Sequence, residues 1–272
     1  MPAISDWLAK ASSQLASVGI PSARLDAEII LSHTLRKSRT FLHAHSDEQL
    51  SDRQVEIANA RLQLRIERTP IAYIIGHKEF YGRLFRVTPA TLIPRPESET
   101  IVTIVKEIIS KQLNKTPKIV DVGTGSGCIG ISIKLEEPHA AIALIDISKH
   151  ALTVAAHNAK QLGAQVTTMQ SNLLTEYPLN ASIIVANLPY VDSSWERSPE
   201  TNYEPSLALF ADNAGLALIN KLIPQAQSHL SPGGDLLLEA DPSQHTKIIS
   251  LANNHGFHLV EIRDYIIHLR KH

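Results

Sequence analysis

Three stretches hold residues whose types and spacing suit chemistry. Asp121-Val122-Gly123-Thr124-Gly125-Ser126-Gly127-Cys128-Ile129-Gly130 is a glycine-rich turn after an apolar segment. Glycines let a ligand approach the backbone, and a following helix offers unpaired N–H groups. Asp146 ends a second apolar segment, 23 residues after Gly123, where a carboxylate can accept both hydroxyls of a ribose. The third stretch, Asn187-Leu188-Pro189-Tyr190, closes the apolar run 181–186. A buried amide without a partner costs about 1–3 kcal/mol, so Asn187 needs one. An amide or amino nitrogen fits: the Asn187 side-chain oxygen would accept one N–H and the Leu188 carbonyl the other. Both bonds push electron density back onto nitrogen. Pro189 would stiffen the turn, and Tyr190 would pack its ring on a flat substrate group. Positioning and electrostatics of this kind lower a barrier by several kcal/mol without a strong base.

Each stretch also has a plainer reading: a glycine-rich turn with no ligand, and a loop signal after a strand. Gly125, Gly127 and Gly130 satisfy the dinucleotide spacing G-x-G-x-x-G, which admits an NAD enzyme. The register Asp121-Val122-Gly123-Thr124-Gly125-Ser126-Gly127, however, is similar to motif I of methyltransferases that use S-adenosyl-L-methionine (SAM). SAM has no pyrophosphate. It presents a ribose, an adenine and a zwitterionic tail, and the turn would wrap that tail. On this reading Asp121, Gly123, Thr124, Gly125, Ser126, Gly127 and Asp146 hold SAM, with Asn172, Leu173 and Asn187 completing the site. The product would be S-adenosyl-L-homocysteine.

These residues must be positioned by strands. The expected strands are 118–123, 141–146, 165–169, 181–186 and 234–240, with helical segments between most of them and two more strands in the stretch 257–272. Strands alternating with helices predict an α/β fold with a mostly parallel, seven-stranded Rossmann-like sheet covered on both faces. Ligand crevices lie outside the carboxyl ends of such strands, so the glycine turn and the tetrapeptide should face one crevice. Ahead of the sheet, helical spacing predicts helices over 4–18 (stopping at Gly19), over 23–35 (capped by Ser22) and over 52–68 (capped by Ser51), forming a small bundle. Glu79 to Val87 reads as a hairpin with a glycine-containing turn, and a further helix should start near Ser98 and run to 113. The expected division is a helical domain over 1–75, a hairpin linker over 76–96 and a catalytic domain over 97–272.

Composition narrows the function classes. With 26 basic and 27 acidic residues the formal charge is −1, which argues against affinity built on neutralising many phosphates. One cysteine forbids an internal disulfide and suits a reducing compartment. No run approaches the roughly 20 apolar residues of a membrane span, and no signal-peptide pattern opens the chain. The expectation is a cytoplasmic monomer without membrane or direct nucleic-acid partners. None of the 13 histidines falls in a known metal-binding spacing, so no metal is expected. Cys128 opens a helix, a place that can lower a thiol pKa, but packing is its favoured role.

Asn187-Leu188-Pro189-Tyr190 resembles the [N/D]-P-P-[Y/F/W] motif of methyltransferases acting on planar nitrogen in DNA adenine, ribosomal RNA adenine and protein glutamine. Other stretches choose among these. Pro70-Ile71-Ala72-Tyr73-Ile74-Ile75-Gly76, Glu79-Phe80-Tyr81-Gly82, Leu92-Ile93-Pro94-Arg95-Pro96-Glu97-Ser98-Glu99, Asn202-Tyr203-Glu204-Pro205-Ser206-Leu207-Ala208-Leu209 and Leu230-Ser231-Pro232-Gly233-Gly234-Asp235-Leu236-Leu237-Leu238-Glu239 look like the release factor glutamine methyltransferases. The resemblance covers essentially the whole chain. It implies a class I SAM-dependent methyltransferase domain behind a small helical domain that grips the substrate. The implied substrate is the glutamine of the Gly-Gly-Gln motif in class I peptide chain release factors, methylated on its side-chain nitrogen. Asn187, Leu188, Pro189 and Tyr190 would be catalytic and substrate-binding, with Arg95 and Glu204 at the substrate mouth.

The chain departs from the family pattern at three places. Leu188 replaces proline but still offers its carbonyl, and Pro189 keeps it extended. Ser98 replaces threonine and keeps the hydroxyl. Gln170-Ser171-Asn172-Leu173 replaces an Asp-aromatic pair; Asn172 would bond the adenine edge and Leu173 would cover the ring. Two rivals remain: an adenine methyltransferase on RNA or DNA, and a non-catalytic module that binds SAM or a release factor.

Overall fold

The computed structural model describes residues 1–111, 116–178, 180–192, 195, 198–209 and 211–272. It divides into two compact units, one of residues 1–76 with 198–203, the other of 77–197 with 204–272.

The first unit holds α1 (Ile4–Ser17), α2 (Ala23–Leu35), α3 (Arg39–Ala44), α4 (Asp52–Ile66) and α5 (Ile71–Ile75). Ile4, Leu8 and Leu15 recur at helical spacing on α1 and bury with Ile30, Leu31, Leu42 and Leu62. Ser51 caps α4 as expected, its Oγ accepting from Gln54 N while the Gln54 side chain accepts from Ser51 N. Ser22 stands before α2 but its side chain caps nothing. The short α3 and α5 had no signal long enough to read. Arg65, itself buried, donates to the buried Asp26 carboxylate at 2.7 Å and to Glu200 at 3.0 Å. That contact ties 198–203 to the helices.

The second unit opens with the hairpin β1 (His77–Phe80) and β2 (Arg83–Arg86), paired antiparallel across a two-residue turn, Tyr81-Gly82. Both turn residues have positive φ, the arrangement whose twist matches the strands. A single 3₁₀ turn over Pro96–Ser98 leads into α6 (Glu99–Ser110); the expected end of this helix, at 112 and 113, lies outside the described residues. Then β3 (Lys118–Val122), α7 (Cys128–Glu136), β4 (Ala141–Asp146), α8 (Lys149–Leu162), β5 (Thr167–Gln170) and β6 (Ala181–Ala186) follow. After these come α9 (Ser206–Leu209), α10 (Ala217–His229), β7 (Leu230–Glu239), α11 (His245–Asn254), β8 (Phe257–Arg263) and β9 (Ile266–Lys271).

The main sheet has the seven-strand order β5-β4-β3-β6-β7-β9-β8. Neighbours from β5 to β7 are parallel, and β9 pairs antiparallel with both β7 and β8. β7 begins four residues before the expected strand. Alternate residues of the central strands face opposite layers: Val120, Ile184 and Leu236 enter one apolar cluster, Ile119, Ile183 and Leu237 the other. That is why these strands read as unbroken apolar runs. From β3 the chain winds outward to β4 and β5, then returns to β6 and winds the other way. The order therefore reverses between β3 and β6, the place where open α/β sheets form a crevice. No helix among the described residues is long and apolar enough to cross a membrane.

Two buried side chains hold the turn after β3. Asp121 Oδ2 accepts from Thr124 Oγ1 at 2.6 Å and from Gly130 N at 2.9 Å. Asn158, on the inner face of α8, accepts from Arg86 N and donates to Ser126 O, tying the hairpin to the turn. Gly130 is a glycine for packing: a Cβ there would stand 2.3 Å from Leu144 Cδ2 and 3.1 Å from Asp121 Cβ. Burial outweighs the Asp121 hydrogen bonds and pushes its carboxyl up to about 6.

Two outcomes are expected. In Gly130→Ala, alanine's helix propensity gains up to about 1 kcal/mol, while overpacking costs roughly 1–3 kcal/mol. Urea unfolding should therefore show a net loss of stability; an unchanged or raised midpoint would refute the close packing. Asp121 has its pKa raised in the native state, so its protonated form is stabilised, and that contribution fades as pH rises from about 4 through about 6. Asp121→Asn keeps an oxygen acceptor without the charge. Its stability relative to the parent should grow across that window, by up to roughly 3 kcal/mol; a pH-independent difference would contradict this.

Candidate active site

A cavity of about 350 Å³ opens at the carboxyl ends of β3, β4 and β6, within the roughly 300–1,000 Å³ of small-molecule sites. Its lining includes Gly123, Thr124, Gly125 and Ser126 from the glycine turn, Asp146 from the end of β4, Asn172 and Leu173 after β5, and Asn187, Leu188 and Pro189 after β6. Arg95 and Ser98 line it from the proline-rich segment. Asp121, Gly127, Tyr190 and Glu204 stand behind this wall rather than on it. Asp121 shapes the turn, Gly127 packs where a Cβ would meet Ile131 and Ala155, and the other two bond to neighbours described below.

The glycine turn and the tetrapeptide touch. Gly123 has φ +71°, and a Cβ on it would lie 2.8 Å from Leu188 Cδ2. Pairing of β3 with β6 brings the two strand ends together, and the left-handed backbone at 123 favours glycine, against which the Leu188 side chain packs. Asp146 accepts from Gly125 N at 2.9 Å through Oδ2 and from Ser148 N at 2.8 Å through Oδ1. Each oxygen keeps a second lone pair, so the carboxylate braces the turn and can still accept from a ligand. Burial raises its pKa, against the opposing pull of these N–H groups.

The loop 171–176 is held by Ser171, whose Oγ donates to Leu173 O at 2.7 Å and accepts from Glu176 N. Leu173 sits at φ +54°, an uncommon backbone for a branched residue, and its side chain is buried on the cavity wall. Asn172 is exposed. Cys128 lines the cavity too. Its helix N-terminus would favour a thiolate, but burial dominates and pushes the thiol up to about 12, so it stays a neutral packing residue.

Behind the tetrapeptide lies a hydrogen-bonded cluster without a counterpart in the sequence reading. Asn187 Nδ2 donates to Ser98 Oγ at 2.9 Å. Ser98 Oγ donates to Glu239 Oε2 at 2.5 Å, and Tyr190 OH donates to Glu239 Oε1 at 3.2 Å. Ser98 and Glu239 are each about 1% exposed. Burial raises the Glu239 pKa, partly offset by the Ser98 and Tyr190 hydroxyls; burial and Glu239 also raise that of Tyr190. Gln244 Nε2 donates to Tyr190 O at 2.9 Å, and Gly215 packs so tightly there that a Cβ would overlap that carbonyl. The sequence signal available was Glu239 itself, a carboxylate closing the apolar run of β7 as Asn187 closes β6.

At the mouth, Glu204 is buried and accepts from Arg95 Nη2 at 2.5 Å and Ile93 N at 3.0 Å. Arg95 is thus paired internally while its side chain stays about 37% exposed. Missed by sequence reasoning were Ser148 and His150 on the wall beside Asp146; their signal was position, directly after a strand end.

Comparison with known proteins gives the arrangement a family. Residues 6–76 match the family model described as PrmC N-terminal domain, and residues 98–201 match Methyltransferase small domain. A release factor glutamine methyltransferase of Koribacter versatilis is 37% identical across 85% of this chain and 86% of its own length. One from Coxiella burnetii is 39% identical across 90% and 88%. Among solved structures, a ribosomal protein L11 methylase from Lactobacillus delbrueckii subsp. bulgaricus superposes with a TM-score of 0.50 at 22% identity, covering 72% of this chain and 90% of that one, a likeness of fold. With two curated relatives this similar along nearly their whole length, the chain belongs to the release factor glutamine methyltransferase family.

Proposed function

We propose that this protein methylates the side-chain amide nitrogen of the glutamine in the Gly-Gly-Gln motif of class I peptide chain release factors, with SAM as methyl donor. The observation that carries the reading is the meeting of Asn187-Leu188 with Gly123 and Asp146 on one cavity wall. Family membership supports the reaction class.

The residues fit SAM. Gly123, Thr124, Gly125 and Ser126 form a cradle with left-handed backbone at both glycines, suited to the methionine tail. Asp146 retains acceptor capacity for ribose hydroxyls. Leu173 and Ile147 give apolar cover for a flat ring, with Asn172 at its edge. When bound, SAM supplies an electrophilic methyl carbon. The chain's own residues bind and orient: the Asn187 oxygen accepts one N–H of the substrate carboxamide, the Leu188 carbonyl the other, and Pro189 holds the carbonyl's direction. Tyr190, anchored through its hydroxyl, backs the turn. The Arg95–Glu204 pair shapes the mouth, and the helical unit 1–76 provides the surface that grips the release factor.

The reading is tested by incubating the protein and labelled SAM with a release factor, or with RNA or DNA. Label should appear on the glutamine peptide alone; label on adenine would replace the proposal with its nearest rival. Asn187→Ala should bind SAM within about threefold of the parent but lose turnover by roughly 10²–10³-fold; parent-like turnover would refute the acceptor role. Asp146→Ala should weaken SAM binding by at least roughly tenfold in a calorimetric titration, since charge-assisted hydrogen bonds contribute about 1.5–3 kcal/mol each. Unaltered affinity would remove Asp146 from the site.

A further inference from the structure

Resting on that reading, we propose that Ser98 and Glu239 are positioning residues: a one-way run of hydrogen bonds from Asn187 through Ser98 to Glu239 sets which end of the Asn187 amide faces the substrate. The geometry is a proton count. Glu239 accepts at both oxygens, from Ser98 at 2.5 Å and from Tyr190 at 3.2 Å. A hydroxyl has a single hydrogen. With Glu239 ionised, Ser98 spends it on Glu239, so towards Asn187, 2.9 Å away, Ser98 can only accept. Asn187 must therefore turn its NH2 to Ser98. The amide is planar, with nitrogen and oxygen on opposite sides, so Oδ1 is left for the cavity as an acceptor.

The reverse orientation would be fatal to the reaction. An NH2 facing an NH2 repels and withdraws the acceptor that the substrate nitrogen needs. An asparagine alone has no preference between its two flips; the partners decide. Here the decision is made by a carboxylate 52 residues beyond Asn187, on β7, through a hydroxyl at the foot of α6. Nearly complete burial of Ser98 and Glu239 excludes water that could otherwise exchange donor and acceptor roles. It also explains why an ionisable residue is kept at the end of an apolar strand, where burial alone opposes it.

The test uses the full-length protein and three variants. Ser98→Ala removes the hydroxyl acceptor and the link through it, leaving the NH2 only its contact with Glu239. Glu239→Met removes the carboxylate at similar volume, freeing the Ser98 hydrogen to point at the Asn187 oxygen. Ser98→Thr keeps the hydroxyl. Ser98→Ala and Glu239→Met should each lower kcat on the release factor by roughly 10–100-fold, with KM and SAM affinity within about threefold, while Ser98→Thr stays within about threefold of the parent. Parent-like kcat in both Ser98→Ala and Glu239→Met, or Ser98→Thr as slow as Ser98→Ala, overturns the proposal. A second readout needs no substrate. With ¹⁵N-labelled asparagine, the Asn187 side-chain NH2 should show Overhauser contact to the Ser98 methylene protons in the parent and lose it in Glu239→Met. Absence of that contact in the parent overturns the proposal even if a variant fails to fold. If the parent adds no methyl group to the release factor, the functional reading fails, while the Overhauser contact still decides the amide's orientation.

Discussion

A polar group that closes a buried strand must have hydrogen-bond partners, because leaving one unpaired costs about 1–3 kcal/mol, a large share of a domain's net stability. The main sheet ends on such groups repeatedly: Asp121 near the end of β3, Asp146 on β4, Asn187 after β6 and Glu239 on β7. Each is answered differently. Asp121 is answered by the glycine turn itself, through Thr124 and Gly130. Asp146 takes backbone N–H groups from Gly125 and Ser148. Glu239 takes the Ser98 and Tyr190 hydroxyls. The Asn187 NH2 is answered within the protein by Ser98 and Glu239, and on the proposed reading the substrate amide answers its oxygen.

Topology puts these groups within reach of one another. The order reversal between β3 and β6 leaves a gap that neither connection covers, and the left-handed glycine at 123 turns the chain away at the end of β3. Parallel pairing of β6 with β7 then brings Glu239 beside the tetrapeptide. The 3₁₀ turn at Pro96–Ser98 delivers the intermediate hydroxyl from a segment far away in sequence. Thus the outer helices and the hairpin matter to the site mainly by fixing backbone: Asn158 between β2 and Ser126, Glu204 beneath Ile93 and Arg95.

Much of the fold could be read from local pattern. The bounds of β4 and β6 follow the apolar runs 141–146 and 181–186, and α2 matches its amphipathic stretch residue for residue. Where reading fell short, the missing information was nonlocal or too brief. The five- and six-residue helices α5 and α3 span under two turns, too few for periodicity to declare itself. Ser22 has a capping residue's chemistry but a backbone at ψ 22°, which aims its hydroxyl away from the helix N–H groups. The early start of β7 is decided by its partner β6, since Leu230 pairs with Ala181 across an irregular register. Cys128 shows a local rule losing to burial. In the candidate site, the glycine turn, Asp146 and the tetrapeptide declared themselves by composition, but the Ser98–Glu239 contact joins residues 141 apart and only the folded chain brings them together.

The most direct measurement is a crystal structure of the protein with S-adenosyl-L-homocysteine and a Gly-Gly-Gln peptide. The glutamine NH2 should lie within hydrogen-bond distance of both Asn187 Oδ1 and the Leu188 carbonyl, its nitrogen facing the sulfur. A glutamine seated elsewhere, or an Asn187 whose NH2 faces the cavity, would contradict the central claim.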